Sequence, residues 1–79
     1  MDKNEFLNEI AIYCEFEDSS MTLETILKTI DGYDSLSVMS MIAFIDENFG
    51  LKFSAKQFQN LTDFNSLIDL IGKEKFDND

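Results

Sequence analysis

Hydrophobic residues along this chain recur at spacings of three and four positions, the pattern of amphipathic α-helices. Asp2 and Glu5 form a capping-box arrangement at the start of the first such run. We expect a first helix from about Asp2 that fades near Glu15. Its core face carries apolar side chains at Phe6, Ile10, Tyr13 and Cys14, with Leu7 and Ala11 beside them.

A long connection from Phe16 to Asp34 follows the first helix. Loops of this length in compact domains are usually functional or locally packed. We expect its apolar side chains to fill the core, and part of the stretch 22–30 to form a short helical turn. These side chains are Met21, Leu23, Ile26, Leu27 and Ile30.

The second predicted helix begins at Asp34 and Ser35 and runs to about Phe49. The Asp34 carboxylate can accept from the free backbone N–H groups of the first turn. Gly50 suits the left-handed backbone that often ends a helix. The expected core stripe of this helix is Val38, Ile42, Ile45 and Phe49.

The opposite face of this helix also carries apolar side chains where a purely structural helix would place charge. The face consists of Leu36, Met39, Ala43 and Glu47, with Ser40 between them. Small exposed apolar patches with polar rims often mark binding sites. The pattern leaves open whether this face binds a partner or lies under a neighbouring helix.

Two shorter helices complete the prediction. Ser54 and Gln57 form a capping box for a short third helix that points Phe58 and Leu61 inward. The fourth begins near Thr62–Asp63, and Lys73 and Lys75 suit the dipole of its last turns, before a frayed tail at 77–79. Its apolar stripe is Phe64, Leu67, Ile68 and Ile71, with Leu70 adjacent.

The pattern as a whole predicts an all-α fold, because strand-like alternation is scarce. A chain of 79 residues has room for one domain. We therefore expect a single domain over residues 1–79 with a folded core at about 3–75. The N-terminus has no signal-peptide pattern, and no apolar run approaches the about 18 residues of a membrane span. We expect a monomeric, cytoplasmic protein without membrane insertion.

Charge narrows the partners that this surface would accept. The chain carries 16 acidic residues against 6 basic ones, a formal net charge of −10. Nucleic acids and anionic membranes both require basic patches, so we expect neither as a partner. Basic protein surfaces would be attracted instead. The plainer interpretation is that the charge serves solubility alone.

Catalytic chemistry has little support in the sequence. The chain has no His, which rules out Ser–His and Cys–His pairs. No spacing matches a His/Cys zinc cluster or an EF-hand. Cys14 is alone, and a small, partly buried apolar role suits it. We expect neither enzymatic activity nor a metal site.

Ser35 is the residue with the clearest chemical potential, within the segment Gly32–Leu36. A serine in the first turn of a helix, after a long loop, presents its hydroxyl outward. Such a hydroxyl is a weak nucleophile unaided, but it can accept a group when another enzyme supplies the base and the metal. Taken alone, Asp34 followed by Ser35 is also an ordinary helix start.

In its context, the Asp34-Ser35-Leu36 stretch resembles the attachment motif of the acyl carrier protein family, which opens the second helix. The segment Asp46–Gly50 looks like the acidic, Phe-ending close of that helix, and Leu61–Asp63 like the junction into the fourth. The resemblance covers about residues 3–75. It implies a four-helix acyl-carrier-like bundle with a long loop between helices 1 and 2 and a short third helix.

The resemblance also implies a function. A phosphopantetheinyl transferase would attach 4'-phosphopantetheine covalently to Ser35, and the thiol of that arm would carry an acyl group as a thioester. Acyl-loading and acyl-processing enzymes with basic docking surfaces, in fatty-acid-like or specialised biosynthesis, would be the partners. Asp34 would assist recognition by the transferase. The residues meeting partner enzymes would be Leu36, Met39, Ala43 and Glu47.

Two positions depart from the family pattern. The residues two and five places after the modified serine are commonly acidic in fatty-acid carriers, but here they are Ser37 and Ser40. Because partner choice is a difference of affinities, we interpret them as marking a carrier for one specialised pathway. Two alternatives stay open: a carrier of aminoacyl or polyketide units, and an acidic helical interaction module that is never modified.

Overall fold

The computed structural model describes residues 1–17 and 20–77, and this part of the chain is helical. Four α-helices occur in it: α1 (Lys3–Tyr13), α2 (Ser35–Phe49), α3 (Ala55–Phe58) and α4 (Phe64–Ile71), with 3-10 turns at Leu27–Thr29 and Lys73–Lys75. Its only strand-like pairing is an isolated bridge between Ile26 and Asp63. The all-α prediction is confirmed. No helix among these residues is long and apolar enough to cross a membrane.

Helix α1 begins as predicted and ends with a backbone reversal. The Asp2 carboxylate accepts the Glu5 backbone N–H at 2.7 Å. At the other end, the N–H of Glu15 donates to the Ile12 carbonyl and that of Phe16 to the Ala11 carbonyl, at 3.1 and 2.9 Å. With Glu15 in the left-handed region at φ 61°, these are the two bonds of a Schellman cap.

The core face of α1 is rotated from the expected one. Phe6, Leu7 and Ile10 are buried, whereas Cys14 is half-buried. Tyr13 was wrongly placed in the core, since 44% of it is exposed. Its ring packs at 5.5 Å between centroids on the edge of Phe44, so its apolar side covers the core while its hydroxyl stays at the surface.

The centre of the core is an aromatic cluster around Phe6, which is fully buried. Its ring centroid lies 5.9 Å from that of Phe44, 6.0 Å from that of Phe49 and 5.3 Å from that of Phe76. The burial of Phe76 follows from the chain turning back towards the N-terminus, where the Asp77 N–H donates to the Met1 carbonyl at 3.2 Å. The expected fraying is thus wrong for Asp77, while 78–79 lie outside the described residues.

The connection between α1 and α2 packs against the core, as predicted, at most of its apolar positions. Leu27 and Ile30 are buried, and Met21 and Leu23 pack half-buried on the same core. Ile26 is the exception, with 46% of it exposed. Its backbone pairs with Asp63, and this pairing turns the Ile26 side chain outward.

Helix α2 buries a stripe one position away from the predicted one. Ile45 alone is confirmed as fully buried, while Val38, Ile42 and Phe49 only flank the core. Apolar residues occur on nearly every side of this helix, so periodicity could not select the inward side. The buried residues are Ser37, Met41, Phe44 and Ile45.

The C-terminal half follows the prediction closely. Phe58 and Leu61 are buried, as are all members of the predicted α4 stripe: Phe64, Leu67, Ile68 and Ile71. Lys73 and Lys75 were wrongly assigned to α4. Gly72 adopts φ 116° and ends the helix, so both lysines fall in the separate 3-10 turn Lys73–Lys75.

Candidate functional site

Ser35 is the first residue of α2 and is exposed. Asp34 is the N-cap, as predicted, in extended backbone at φ −147°. Its carboxylate accepts the Ser37 backbone N–H at 2.9 Å. Among the described residues the Ser35 hydroxyl has no hydrogen-bond partner, because the cap uses its neighbours. The hydroxyl is therefore accessible to an enzyme that supplies the base.

Ser37 has a structural role that its position in the motif did not reveal. Its Oγ accepts the Asp34 N–H at 2.8 Å and donates to the Asp34 carbonyl at 2.8 Å. Only 6% of the residue is exposed. Ser37 is therefore closed to partners on this backbone, and of the two departures it is Ser40, which is half-buried, that a partner could reach.

We expect Ser37→Ala to lower the free energy of unfolding by about 1–2 kcal/mol, because it removes the capping side chain that bonds to the Asp34 backbone N–H and carbonyl. Urea unfolding followed by circular dichroism measures this. Ser66→Ala should cost a similar amount, since Ser66 makes the same bonds to Asp63 at the start of α4. Ser40→Ala is the control within α2, and an equal loss there would contradict the role of the cap.

Two clefts flank the start of α2. The one on the α3 side, of about 320 Å³, contains Ser35 and is lined further by Lys28, Tyr33, Val38, Ala55, Phe58 and Gln59. The one on the α1 side, of about 240 Å³, contains Tyr13, Cys14, Leu36 and Ser40. Asp34 borders both. Ser35 and Leu36 therefore line different clefts, although they are neighbours in the first turn of the helix.

The face formed by Leu36, Met39, Ala43 and Glu47 is uncovered. Leu36 is 75% exposed and Met39 59% exposed, and Ala43 and Glu47 are exposed as well. Of the two possibilities that the sequence left open, burial of this face under a neighbouring helix does not occur among the described residues. The four side chains span three turns, or about 16 Å along the helix axis at 1.5 Å per residue.

Tyr13 borders this face from α1. The negative charge of Glu47 raises the pKa of the Tyr13 hydroxyl, and desolvation and a hydrogen bond to Glu47 add to the effect. The contact joins the end of α1 to the exposed side of α2. Tyr13 therefore extends the apolar surface beyond the helix that sequence reasoning identified.

Cys14 provides no second reactive group. Burial raises the pKa of its thiol to about 11, and its Sγ lies 3.8 Å from the Ser37 carbonyl oxygen. The thiol is therefore protonated at neutral pH, and the thiolate is the nucleophilic form. Burial also raises the pKa of the nearby Tyr33 hydroxyl.

Sequence reasoning missed the cleft beside Ser35. Its walls come from three separated segments: the 3-10 turn Leu27–Thr29, α2 and α3. One signal was available, because Lys28 is the only basic residue between positions 4 and 51. A single lysine in a long acidic segment could have been identified as a candidate binding residue.

Comparison of the chain with family models, curated proteins and solved structures finds no match.

Proposed function

We propose that this protein is an acyl carrier protein that bears 4'-phosphopantetheine on Ser35. The observation that carries the proposal is the free, exposed Ser35 hydroxyl at the first residue of α2, behind an Asp34 N-cap. The exposed apolar face on the same helix, rimmed by acid, adds a surface for partner enzymes. The bundle is then of the acyl-carrier type, with the connection 14–34 as its long first loop.

The residues around Ser35 suit the group that would be attached there. The adjacent cleft of about 320 Å³ falls within the range of small-ligand pockets, about 300–1,000 Å³. Its walls combine apolar Val38 and Phe58 with the polar Gln59 and the cation Lys28. When bound, the group supplies a thiol for thioester chemistry.

Loading of Ser35 is a group transfer in which this chain contributes only the acceptor. The Ser35 oxygen forms a bond to the pantetheine-bearing phosphorus of coenzyme A, and the bond from that phosphorus to the bridging oxygen breaks. Adenosine bisphosphate leaves, and the hydroxyl proton passes to a base of the transferase. No residue of this chain is needed as that base, in keeping with the absence of histidine.

The remaining surface suits delivery of cargo. A flexible tether raises the local concentration of an intermediate at each partner's active site. The net charge of −10 speeds encounter with basic surfaces, and Leu36 and Met39 supply apolar contact once the partner has docked. Acyl-loading and acyl-processing enzymes with basic docking surfaces are the partners of this proposal.

The test is intact mass after incubation with coenzyme A, magnesium and a broad-specificity phosphopantetheinyl transferase. We expect a gain of one phosphopantetheinyl group in the parent protein and none in Ser35→Ala. Ser40→Ala, which keeps Ser35, is the matched control and should gain the group. A folded parent protein that gains nothing would contradict the proposal.

An unmodified interaction module is the second candidate, because the exposure of Leu36 and Met39 does not depend on an arm. For such a module Ser35→Ala would leave partner binding intact, and no mass would be gained. An aminoacyl or polyketide cargo remains a variant of the carrier proposal, to be separated by loading assays on the modified protein.

A further inference from the structure

Lys28 lines the same cleft as the residue that we propose to be modified. Its side chain is exposed, and the cleft has a volume of about 320 Å³. Among the described residues it makes no ion pair or hydrogen bond through its ammonium group, whereas Lys52 pairs with Asp46 at 3.0 Å and Lys73 with Asp69 at 3.6 Å. Its charge is therefore free to pair with a ligand.

The backbone holds Lys28 at the rim of the cleft. The Leu27 N–H donates to the Thr62 carbonyl at 2.8 Å, and the Thr29 hydroxyl donates to the Ile26 carbonyl at 2.6 Å. Leu27 is fully buried and Ile30 only 5% exposed. Buried neighbours on both sides thus anchor this short turn and leave the Lys28 and Thr29 side chains exposed.

The negative charge that modification would bring to Ser35 gives a reason for a lysine in this cleft. A phosphodiester on the Ser35 oxygen would carry one negative charge directly beside the Asp34 carboxylate. The two negative charges, on adjacent residues, would repel each other. Lys28 is the only basic side chain that lines the cleft, so it is the residue that could offset this repulsion. The remaining wall next to it is apolar, formed by Val38, Ala55 and Phe58.

We propose that the Lys28 ammonium pairs with the phosphodiester on Ser35 and so directs the arm into the cleft against α3, away from the face of Leu36. Lys28 is then a positioning residue. The inference rests on the proposed function, since it requires the modified serine. An arm held in this cleft would also leave the exposed Leu36 side chain free for partners, since Leu36 lines the other cleft.

The test compares parent protein, Lys28→Gln and Lys56→Gln, each before and after modification. Lys56 lies on the neighbouring α3 and is exposed but does not line the cleft, so its variant matches the charge change. Two-dimensional amide NMR reports the arm in the cleft through signals of Val38, Phe58 and Gln59, and phosphorus NMR reports the phosphodiester. Intact mass shows first whether each variant is modified.

We expect the amide signals of the cleft to move on modification of the parent and of Lys56→Gln. In Lys28→Gln the population of the arm in the cleft should fall about two- to five-fold, the range for an exposed ion pair. Added salt screens an exposed ion pair, so it should reduce the amide signal changes of the modified parent towards those of modified Lys28→Gln. Lys28→Arg, which keeps the charge, should retain them.

The outcomes separate the two proposals. If no variant gains mass, the carrier function fails and this inference with it. If all variants are modified but Lys28→Gln shows the same cleft shifts as the parent, the inference about Lys28 is overturned and the carrier function stands.

Discussion

Phe6→Ala is expected to lower the free energy of unfolding by about 3–5 kcal/mol. Phe6 is fully buried and its ring meets those of Phe44, Phe49 and Phe76, at 5.3–6.0 Å between centroids. These rings come from α1, α2 and the C-terminal segment, so the cavity would lie where three parts of the chain meet. A domain of this size has a total stability of about 4–12 kcal/mol, and the variant would be close to unfolding at 25 °C.

Urea unfolding followed by far-ultraviolet circular dichroism measures this loss. Ile12→Ala is the matched control, because it removes a large apolar side chain from the same helix at a position that is 76% exposed. Its effect should stay within about 0.5 kcal/mol. A Phe6→Ala protein as stable as the control would mean that the aromatic cluster does not form the centre of the core.

The parts of the fold that could be predicted are those determined by local chemistry. Asp2, Asp34 and Asp63 each cap a helix through a carboxylate that accepts a backbone N–H three residues later, and all three helix starts follow from that rule. Helix α4 was also predictable, since its apolar residues occupy one narrow face. In both cases the information lies within one or two turns of chain.

The errors occur where distant segments decide the outcome. The buried side of α2 depends on which neighbours surround it, because its sequence is apolar nearly all round. The exposure of Ile26 depends on its backbone bridge to Asp63, and the burial of Phe76 on aromatic rings 27 and more positions away. Neither propensity nor periodicity contains these pairings, since both read only local spacing.

In the candidate site, too, the features set by local sequence were predictable and those set by distant segments were not. Ser35 and Asp34 were identified from three adjacent residues and the length of the preceding loop, and their positions at the start of α2 agree with that reasoning. The cleft that contains Lys28 requires the Leu27–Thr29 turn to dock beside α3, a contact between segments far apart in sequence. The role of Ser37 in the Asp34 cap could not be recognised from the sequence, because the same position can serve as a surface contact or as half of a cap.

Leu36→Ala is expected to reduce the kcat/KM of the transferase for this protein about tenfold, under the proposed carrier function. Leu36 is 75% exposed and adjoins Ser35, so an enzyme that reaches the Ser35 hydroxyl must cover it. Full burial of a leucine side chain contributes about 1.5–3 kcal/mol, and each 1.4 kcal/mol is a factor of ten. Fold stability should stay unchanged, because an exposed side chain contributes little to it.

Initial rates of phosphopantetheine incorporation, measured by intact mass at several protein concentrations, test this expectation. Ile12→Ala is again the control, since Ile12 is equally exposed at 76% but lines neither cleft beside Ser35. A tenfold loss confined to Leu36→Ala would assign the apolar face of α2 to enzyme docking. Equal rates for both variants would mean that the transferase recognises Ser35 through Asp34 and the loop before it, which would leave the exposure of Leu36 to be explained by later partners in the pathway.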